Sequence, residues 1–470
     1  MTLIGAPRLR LSANGRPRVP ARPATRRGQL ALLAVNLAAV TVFLLSYSRH
    51  GIGLHPYRID LNVYRLGSQM WRSGGNLYGQ LPRTAAGIRL PFTYPPFAAI
   101  ALAPLSMLPM AAAAALLTVV SVASAAVALR VVLRGLAGRG GGTWWTVAWL
   151  LPPALALEPL RATLSFGQVN LLLLALVAAD CLARDPRWPR GALTGLAAAV
   201  KLTPATFVLY FLLRRDYRAA GTAGLSFAVA TAAGFALAGR DSVRYWAGTV
   251  LHAGRIGNPA YAGNQSVLAV LARAGIAPYS PGGTAVWLAL CAAVTGLACR
   301  GMRRALAAAQ DCWALSLNAL AALLISPVSW SHHWVWCLPV LLTLTALGRR
   351  GRARLPAALA AGGLVMFAAS PQWWFPAAHG RELRWALWEQ ALGSSYVLFA
   401  VLVLALAATG AISGLRSGHA GVCVTWRERT SPTPLTGRLA AGGDRLGDEA
   451  DGGVGAVTTG IATAQPGDPP

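Results

Sequence analysis

Lysine is almost absent from this chain. Of its 42 basic residues, 41 are arginine, and Lys201 is the single lysine. Charge of any kind is scarce: 12% of residues are charged, against about 25% in a soluble domain. With 55% hydrophobic residues and a mean hydropathy of +0.50, this excludes an ordinary water-soluble fold. Acid is scarcer still, fifteen Asp and Glu leaving a net charge of +27 over 470 residues. A nucleic-acid binder would gather such charge on one face or stripe. Here the arginines sit in short clusters between apolar segments, the pattern of positive-inside membrane topology, so nucleic acid is excluded as a partner. The six cysteines (Cys181, Cys291, Cys299, Cys312, Cys337, Cys423) show no CxxC spacing and fall mostly inside apolar runs. That excludes a disulfide framework or a thiolate metal site. There is no solenoid repeat. The dominance of arginine over lysine points to a genome rich in G and C, hence a bacterium.

What is present is a succession of apolar segments: about 29–47, 95–108, 110–133, 144–160, 169–183, 191–213, 219–239, 284–299, 306–326, 334–347, 355–370 and 394–413. A membrane span needs roughly 17–25 residues, so the expectation is an all-α polytopic membrane protein with about 11–13 membrane helices, some short or broken. Seven arginines up to Arg27 precede the first segment. "TRRGQLALL" resembles a twin-arginine signal, but no small-residue cleavage site follows, which favours an uncleaved anchor. The expected organisation is a cytoplasmic leader over 1–28, a membrane domain over 29–413 with a first outer loop over 48–109, and a cytoplasmic, disordered tail over 414–470 rich in Gly, Thr, Pro and Asp.

Two segments do not read as simple spans. The stretch 95–108 is short and carries prolines at 95, 96 and 104, with another at 109. If it crossed, Arg130, Arg134, Arg139 and "RDPRWPR" (184–190) would lie outside, against the charge rule. If it only dips in, those clusters move inside, and 191–213 must enter and return so that "RRDYR" (214–218) is inside too. Lys201-Leu202-Thr203-Pro204 then forms the tip of two half-helices, since proline removes a backbone donor and disfavours helix just before it. An ionisable group at membrane depth costs about 2.5–3.5 kcal/mol or more, so Lys201 requires an explanation.

Polar residues concentrate at the outer ends. Of the fifteen acids, only Asp60, Glu158, Asp241, Glu382 and Glu389 fall there. Asp60 lies just beyond the first span, and capping a helix over 61–72 is its plainest alternative role. "SPVSWSHHWVW" sets His332 and His333 beside Trp330, Trp334 and Trp336. Neighbouring histidines on a helix point about 100° apart, which suits contact with a phosphate better than a shared metal. "RATLSFGQVN" supplies Arg161, Gln168 and Asn170, and "GNQS" supplies Asn264 and Gln265.

Taken in order, "FTYPP…APLSMLP", "GQVNLLLLALVAAD", "KLTP", "NQS" and "SPVSWSHHW", behind an early outer Asp, resemble glycosyltransferase family 87 over about residues 30–413. These are actinobacterial polyprenol-phosphate-mannose-dependent α-mannosyltransferases of the GT-C superfamily. The resemblance implies an inverting enzyme of the bacterial plasma membrane, with its active site periplasmic and both termini cytoplasmic. It would transfer mannose from a polyprenyl-phosphate donor to a glycolipid or lipoglycan acceptor among membrane lipids. By the same resemblance Asp60 is the catalytic base. Lys201, His332, His333 and Arg161 are candidates to meet the donor phosphate, and Tyr94, Gln168, Asn170, Asn264, Gln265 and Trp330 to contact substrate. Asp60-Leu61-Asn62 lacks the paired acids that many GT-C enzymes carry here, so no metal site and no cofactor beyond the lipid-linked donor is expected. Lys201 could instead snorkel or pair with Glu158. The competing functions are a transporter or flippase of a lipid-linked sugar, or a GT-C enzyme using another polyprenyl-phosphate sugar such as arabinose or glucose.

Overall fold

The computed structural model describes residues 30, 33–38, 58–137 and 143–412. The expected leader, most of the first apolar segment and the tail lie outside them. Among the described residues every regular element is helical, and the one extended pairing is an isolated bridge between Asn264 and Trp330.

α1 (Ile59–Arg72) buries Leu61, Val63, Tyr64, Gly67 and Ser68 along one face. Two short helices follow, α2 (Pro96–Ala101) and α3 (Ala103–Met107). At 1.5 Å per residue these two reach roughly 18 Å together, well short of the ~30 Å hydrocarbon core. The side chain of Arg65 ties them to α1, its Nη2 donating to Leu108 O at 2.6 Å and its Nε to Leu105 O at 3.1 Å. α4 (Met110–Ala137) then runs unbroken for 28 residues.

The apolar stretch 144–160 is interrupted. α5 (Trp144–Ala156) stops at Leu157, whose backbone is extended (ψ 138°); α6 (Glu158–Phe166) starts at once, with Pro159 in its first turn where the missing N–H costs nothing, and α7 (Asn170–Leu182) follows. Asp180 is fully buried near the end of α7. Its carboxylate accepts from the backbone N–H of Gly191 and Thr194 (both 2.9 Å), the Thr194 hydroxyl (2.7 Å) and Trp188 Nε1 (3.0 Å). An anion so placed satisfies orphan donors at the start of α8 (Ala192–Val200) and complements its dipole.

Lys201 ends α8 in an extended conformation (φ −149°, ψ 128°); a short 3₁₀ turn (Thr203–Phe207) and α9 (Val208–Leu213) carry the chain back. Three contacts show that it returns to its starting level. Arg190 Nε stands 4.0 Å from Asp216 Oδ2, Arg214 stands 3.3 Å from Asp311, and Ser226 of α10 (Tyr217–Leu237) donates to Ala192 O at 2.8 Å. Gly191 and Gly195 let the backbones of α8 and α10 touch: a Cβ at either would collide with the carbonyl of Ala219 or Ala223. The Cys312 thiol, 3.8 Å from Val132 O, brings the end of α4 to the same level. Arginine clusters distant in sequence thus share one end of the bundle, and Lys201 caps the other end of α8.

The remainder comprises α11 (Gly239–Ala247), α12 (Val267–Arg273), α13 (Pro281–Ala307), α14 (Asp311–Ile325), a 3₁₀ turn (Ser331–Trp336), α15 (Cys337–Gly351), α16 (Arg354–Ala369), α17 (Leu387–Gly393) and α18 (Ser395–Thr409). By length and composition α4, α10, α13 and the stretch Arg354–Trp373 can each cross a membrane, and α17 and α18 form a pair bent by 71°. α14 is the buried centre, with every residue from Cys312 to Leu324 enclosed. Its fifteen residues span only about 22 Å; irregular backbone beyond a short helix is tolerated at membrane depth where protein shields it.

The hairpin geometry makes a test of sidedness. In a background freed of native cysteines, Arg187→Cys and Tyr217→Cys are expected to react with an impermeant maleimide only after the cytoplasmic side is opened. Arg83→Cys should react in intact cells. Labelling of position 187 from outside would contradict the re-entrant path.

Candidate active site

A cavity of about 510 Å³ opens where the start of α1, the 90–95 loop, the 166–168 turn, the Lys201 break and the 249–256 and 326–333 segments converge. A smaller space of about 40 Å³ lies behind Lys201 and His333. Of the residues singled out from sequence, Asp60, Tyr94, Gln168, Lys201, Trp330, His332 and His333 all line the larger cavity.

Lys201 is only 9% exposed, so its ammonium needs acceptors. Nζ donates to Asn170 Oδ1 at 2.9 Å and to His333 Nε2 at 3.0 Å, and stands 5.7 Å from the centre of the Tyr94 ring. This differs from both plain alternatives. The side chain does not snorkel, and it does not pair with Glu158. A nitrogen facing an ammonium must offer its lone pair, so His333 is a neutral acceptor with its proton on Nδ1. His333 Nδ1 and His332 Nε2 are buried without a partner among the described residues, and both rings line the cavity. His332 is held from behind: its carbonyl accepts from Asn170 Nδ2 and Thr163 Oγ1, each at 2.8 Å, and its ring lies edge-on to Phe166 at 5.0 Å. Asn170 therefore contacts Lys201 and the histidine backbone rather than the cavity.

Asp60 occupies the first turn of α1, half-buried in the cavity wall. Burial pushes its carboxyl up to about 6, while donation from Gln168 and the nearby Lys201 charge oppose that rise. The buried guanidinium of Arg58, just before the helix, donates to Leu164 O and so fixes the start of α1 against α6. Gly167 closes α6 in the left-handed conformation (φ 69°), where a Cβ would also lie 2.8 Å from that of Leu61. Asn62, in the place of a second acid, turns back and donates to Arg58 O at 3.0 Å.

Four of the acids and amides are structural. Asn264 and Gln265 are fully buried. Asn264 accepts from Ser329 N at 2.9 Å and donates to Pro259 O and Pro327 O, and Gln265 donates to Ala262 O and Gly393 O. They pin loops together and do not line the cavity, which corrects their assignment as substrate contacts. Glu158 accepts from Ser331 Oγ (2.7 Å), Trp373 Nε1 (3.1 Å) and Tyr396 OH (3.0 Å). Arg161 interacts electrostatically with Glu158 and is likewise absent from the cavity wall, so it is not placed to meet the donor phosphate. Asp241 accepts from Leu77 N at 3.2 Å and pairs with Arg244 at 3.6 Å.

The wall also contains Thr203 of the expected hairpin tip, and His252, Arg255, Tyr261 and Trp373, which did not stand out in sequence. Behind it Tyr64 reaches Gln168. A signal for Tyr64 existed, because it follows Asp60 at the i, i+4 spacing that places two side chains on one helix face. The others come from loops whose meeting is purely tertiary.

Glu158→Leu would leave two buried donors, Ser331 Oγ and Tyr396 OH, and the part-buried Trp373 N–H unmet. At about 1–3 kcal/mol for each buried donor, it should cost about 2 kcal/mol or more. A clear fall in melting temperature in detergent is expected, and an unchanged melting temperature would remove Glu158 from this role.

A model of glycosyltransferase family 87 matches residues 92–327. A polyprenol-phosphate-mannose-dependent α-(1-2)-phosphatidylinositol mannoside mannosyltransferase from Mycolicibacterium smegmatis is 41% identical over 390 residues, covering 79% of this chain and 87% of that protein. Its namesake from Mycobacterium tuberculosis is 42% identical over 368 residues, covering 76% and 85%. The crystal structure of ArnT from Cupriavidus metallidurans bound to undecaprenyl phosphate aligns over 82% of this chain and 79% of that one, at 14% identity. Its TM-score of 0.36 is too low to carry an argument. The matched stretch contains Tyr94, Gln168 and Lys201 of the cavity wall, and the similarity to the mycobacterial enzymes extends over most of the molecule. The chain belongs to glycosyltransferase family 87.

Proposed function

We propose that this glycosyltransferase moves mannose from polyprenyl-phosphate-mannose to a phosphatidylinositol mannoside or related lipoglycan, forming an α-(1→2) linkage with inversion. The observation that carries this reading is one cavity holding a carboxylate in its wall and a desolvated ammonium at its base. The donor and acceptor classes follow from the names of the two mycobacterial relatives. The arginine clusters at the far end of α8 support, by the charge rule, a cytoplasmic side for that end and hence a periplasmic face of a bacterial plasma membrane for the cavity. The leader, the membrane domain over 29–413 and a cytoplasmic tail complete that picture.

In the reaction, the acceptor hydroxyl loses its proton to Asp60 as its oxygen attacks the anomeric carbon of a β-linked mannosyl phosphate. The bond between that carbon and the phosphate oxygen breaks, and its electron pair leaves with the lipid phosphate. Lys201, aimed by Asn170 and His333, stabilises the charge that develops there, and the free ring nitrogens of His332 and His333 offer further contacts. Phosphate is already a good leaving group, so a single carboxylate suffices where glycosidases use two.

Purified protein in proteoliposomes, given labelled polyprenyl-phosphate-mannose and phosphatidylinositol mannoside, should yield product sensitive to α-mannosidase. Transfer only from another polyprenyl-phosphate sugar, or none at all, would overturn the reading. Asp60 must be ionised to act, so kcat/KM should be full above its acid limb and fall as pH drops through about 6. Asp60→Asn should abolish transfer while donor still binds; near-normal turnover would dismiss Asp60 as the base.

Lys201→Met should lower donor affinity and rate together. A charge-assisted contact is worth roughly 1.5–3 kcal/mol, or about ten- to a hundredfold. Lys201→Arg should recover only part, because a planar fork cannot reproduce a compact ammonium held between Asn170 and His333. Wild-type values for both variants would remove Lys201 from the site.

A further inference from the structure

We propose that Trp330, Tyr261 and Trp373 form a stacking platform for the acceptor glycan, binding an oligomannoside over more than one of its sugars. The proposal rests on the reading of this cavity as the site of mannosyl transfer. The three rings come from segments distant in sequence, and all line the cavity. Tyr261 links the other two, its centroid 5.9 Å from that of Trp330 and 6.0 Å from that of Trp373, at steep interplanar angles of 73° and 60°. Trp330 is partly buried, three positions before His333, whereas Trp373 is 39% exposed. The row of rings therefore runs from beside the histidines to the rim.

The row is fixed from behind. Asn264 and Trp330 form the isolated bridge, closed by Gln265 N donating to Ser329 O and Ser331 N to Gly263 O, each at 2.7 Å. One oxygen of the buried Glu158 then ties both ends together. Its Oε1 accepts from Ser331 Oγ, next to Trp330, at 2.7 Å and from Trp373 Nε1 at 3.1 Å. Bare backbone lies against the rings. A Cβ at Gly263 would stand 3.0 Å from both Tyr261 and Trp373, and one at Gly257 3.2 Å from Trp330. Rings held this way have little freedom left to lose when a ligand arrives, which lowers the cost of binding.

Two ligands compete for such a wall, the isoprenoid chain of the donor and the sugars of the acceptor. A pyranose presents apolar C–H faces and a rim of hydroxyls, so it needs aromatic faces with hydrogen-bonding groups alongside. An isoprenoid chain needs only the first. The second are present: His252 and Arg255 line the cavity from the segment that packs on Trp330 through Gly257. Arg255 Nη2 donates to Tyr78 O at 2.8 Å, and a guanidinium carries five N–H groups, so most remain for hydroxyls. Length points the same way. The donor carries one mannose, held between Lys201 and Asp60, whereas a row of three rings is longer than one sugar. Only the acceptor brings several.

The test is steady-state kinetics of the full-length protein in proteoliposomes, with labelled polyprenyl-phosphate-mannose as donor and octyl mono-, di- and trimannosides as acceptors. In wild type the acceptor KM should fall as mannoses are added. Loss of one stacking ring costs about two- to tenfold in affinity. Trp330→Leu should raise KM for all three acceptors by that factor, and Trp330→Phe by less. Trp373→Leu, at the rim, should raise it for the trimannoside and spare the monomannoside. Donor KM should stay near wild type throughout. A wild-type acceptor KM independent of chain length would overturn the proposal without any variant, so the test survives a variant that fails to fold. A rise in donor KM alone would assign the rings to the isoprenoid chain, and a lower kcat at unchanged KM would make them merely structural; either overturns it too. No transfer by wild type to any mannoside would fail the reading of the cavity itself, a result recognised before any ring is changed.

Discussion

An ammonium enclosed among helices with 9% of its surface exposed persists only where acceptors replace its lost water, because an unpaired buried charge costs several kcal/mol. Lys201 finds those acceptors in Asn170 and His333, the first at the start of α7 and the second 132 residues downstream of the lysine. The same asparagine, through its other amide atom, fixes the carbonyl of His332. Three segments that share no local sequence logic are drawn to one point by this exchange of donors and acceptors, and the cavity forms around it. The break at Lys201 ends one half-helix, and the return through Thr203–Phe207 completes the hairpin.

The far end of that hairpin is built with comparable care. Asp180 supplies a buried anion to the start of α8, and Arg190 closes over it by donating to the carbonyls of Asp180, Cys181 and Ala183. The length of α8 then sets the depth at which Lys201 stands. Depth matters in a lipid-facing enzyme because the donor phosphate is restricted to the membrane boundary by its own chain. Opposite, Arg58 and Gly167 fix where Asp60 stands against α6. Asp60 and Lys201 are thus each set by a clamp outside the cavity.

Much of this was legible beforehand, for reasons that can be named. Apolar runs of helical length mark helices, and prolines mark where they break, so the interruptions at 95–109 and at Lys201-Pro204 could be read directly. Asp60 stood out because acids are so few. The partners of Lys201 could not be read in the same way. Glu158 had the right charge and lay at an outer end, but its oxygens are taken by Ser331, Trp373 and Tyr396, donors from segments 173 residues or more away in sequence. Asn264 and Gln265 resembled substrate contacts because polar residues at outer helix ends usually face solvent; here they satisfy loop carbonyls in a fully buried setting. Side-chain valence is shared across tertiary contacts, and a linear pattern does not encode who shares with whom.

The central claim is geometric: Lys201 meets the donor phosphate while Asp60 stands at the face of the anomeric carbon turned away from it. The most direct measurement is a cryo-EM structure of Asp60→Asn with a non-hydrolysable polyprenyl-phosphonate mannose. The account predicts phosphonate oxygens within hydrogen-bond reach of Lys201 Nζ and a histidine ring nitrogen, with residue 60 on the opposite side of the sugar. A phosphonate seated away from Lys201, or a sugar whose anomeric carbon faces away from residue 60, would contradict it.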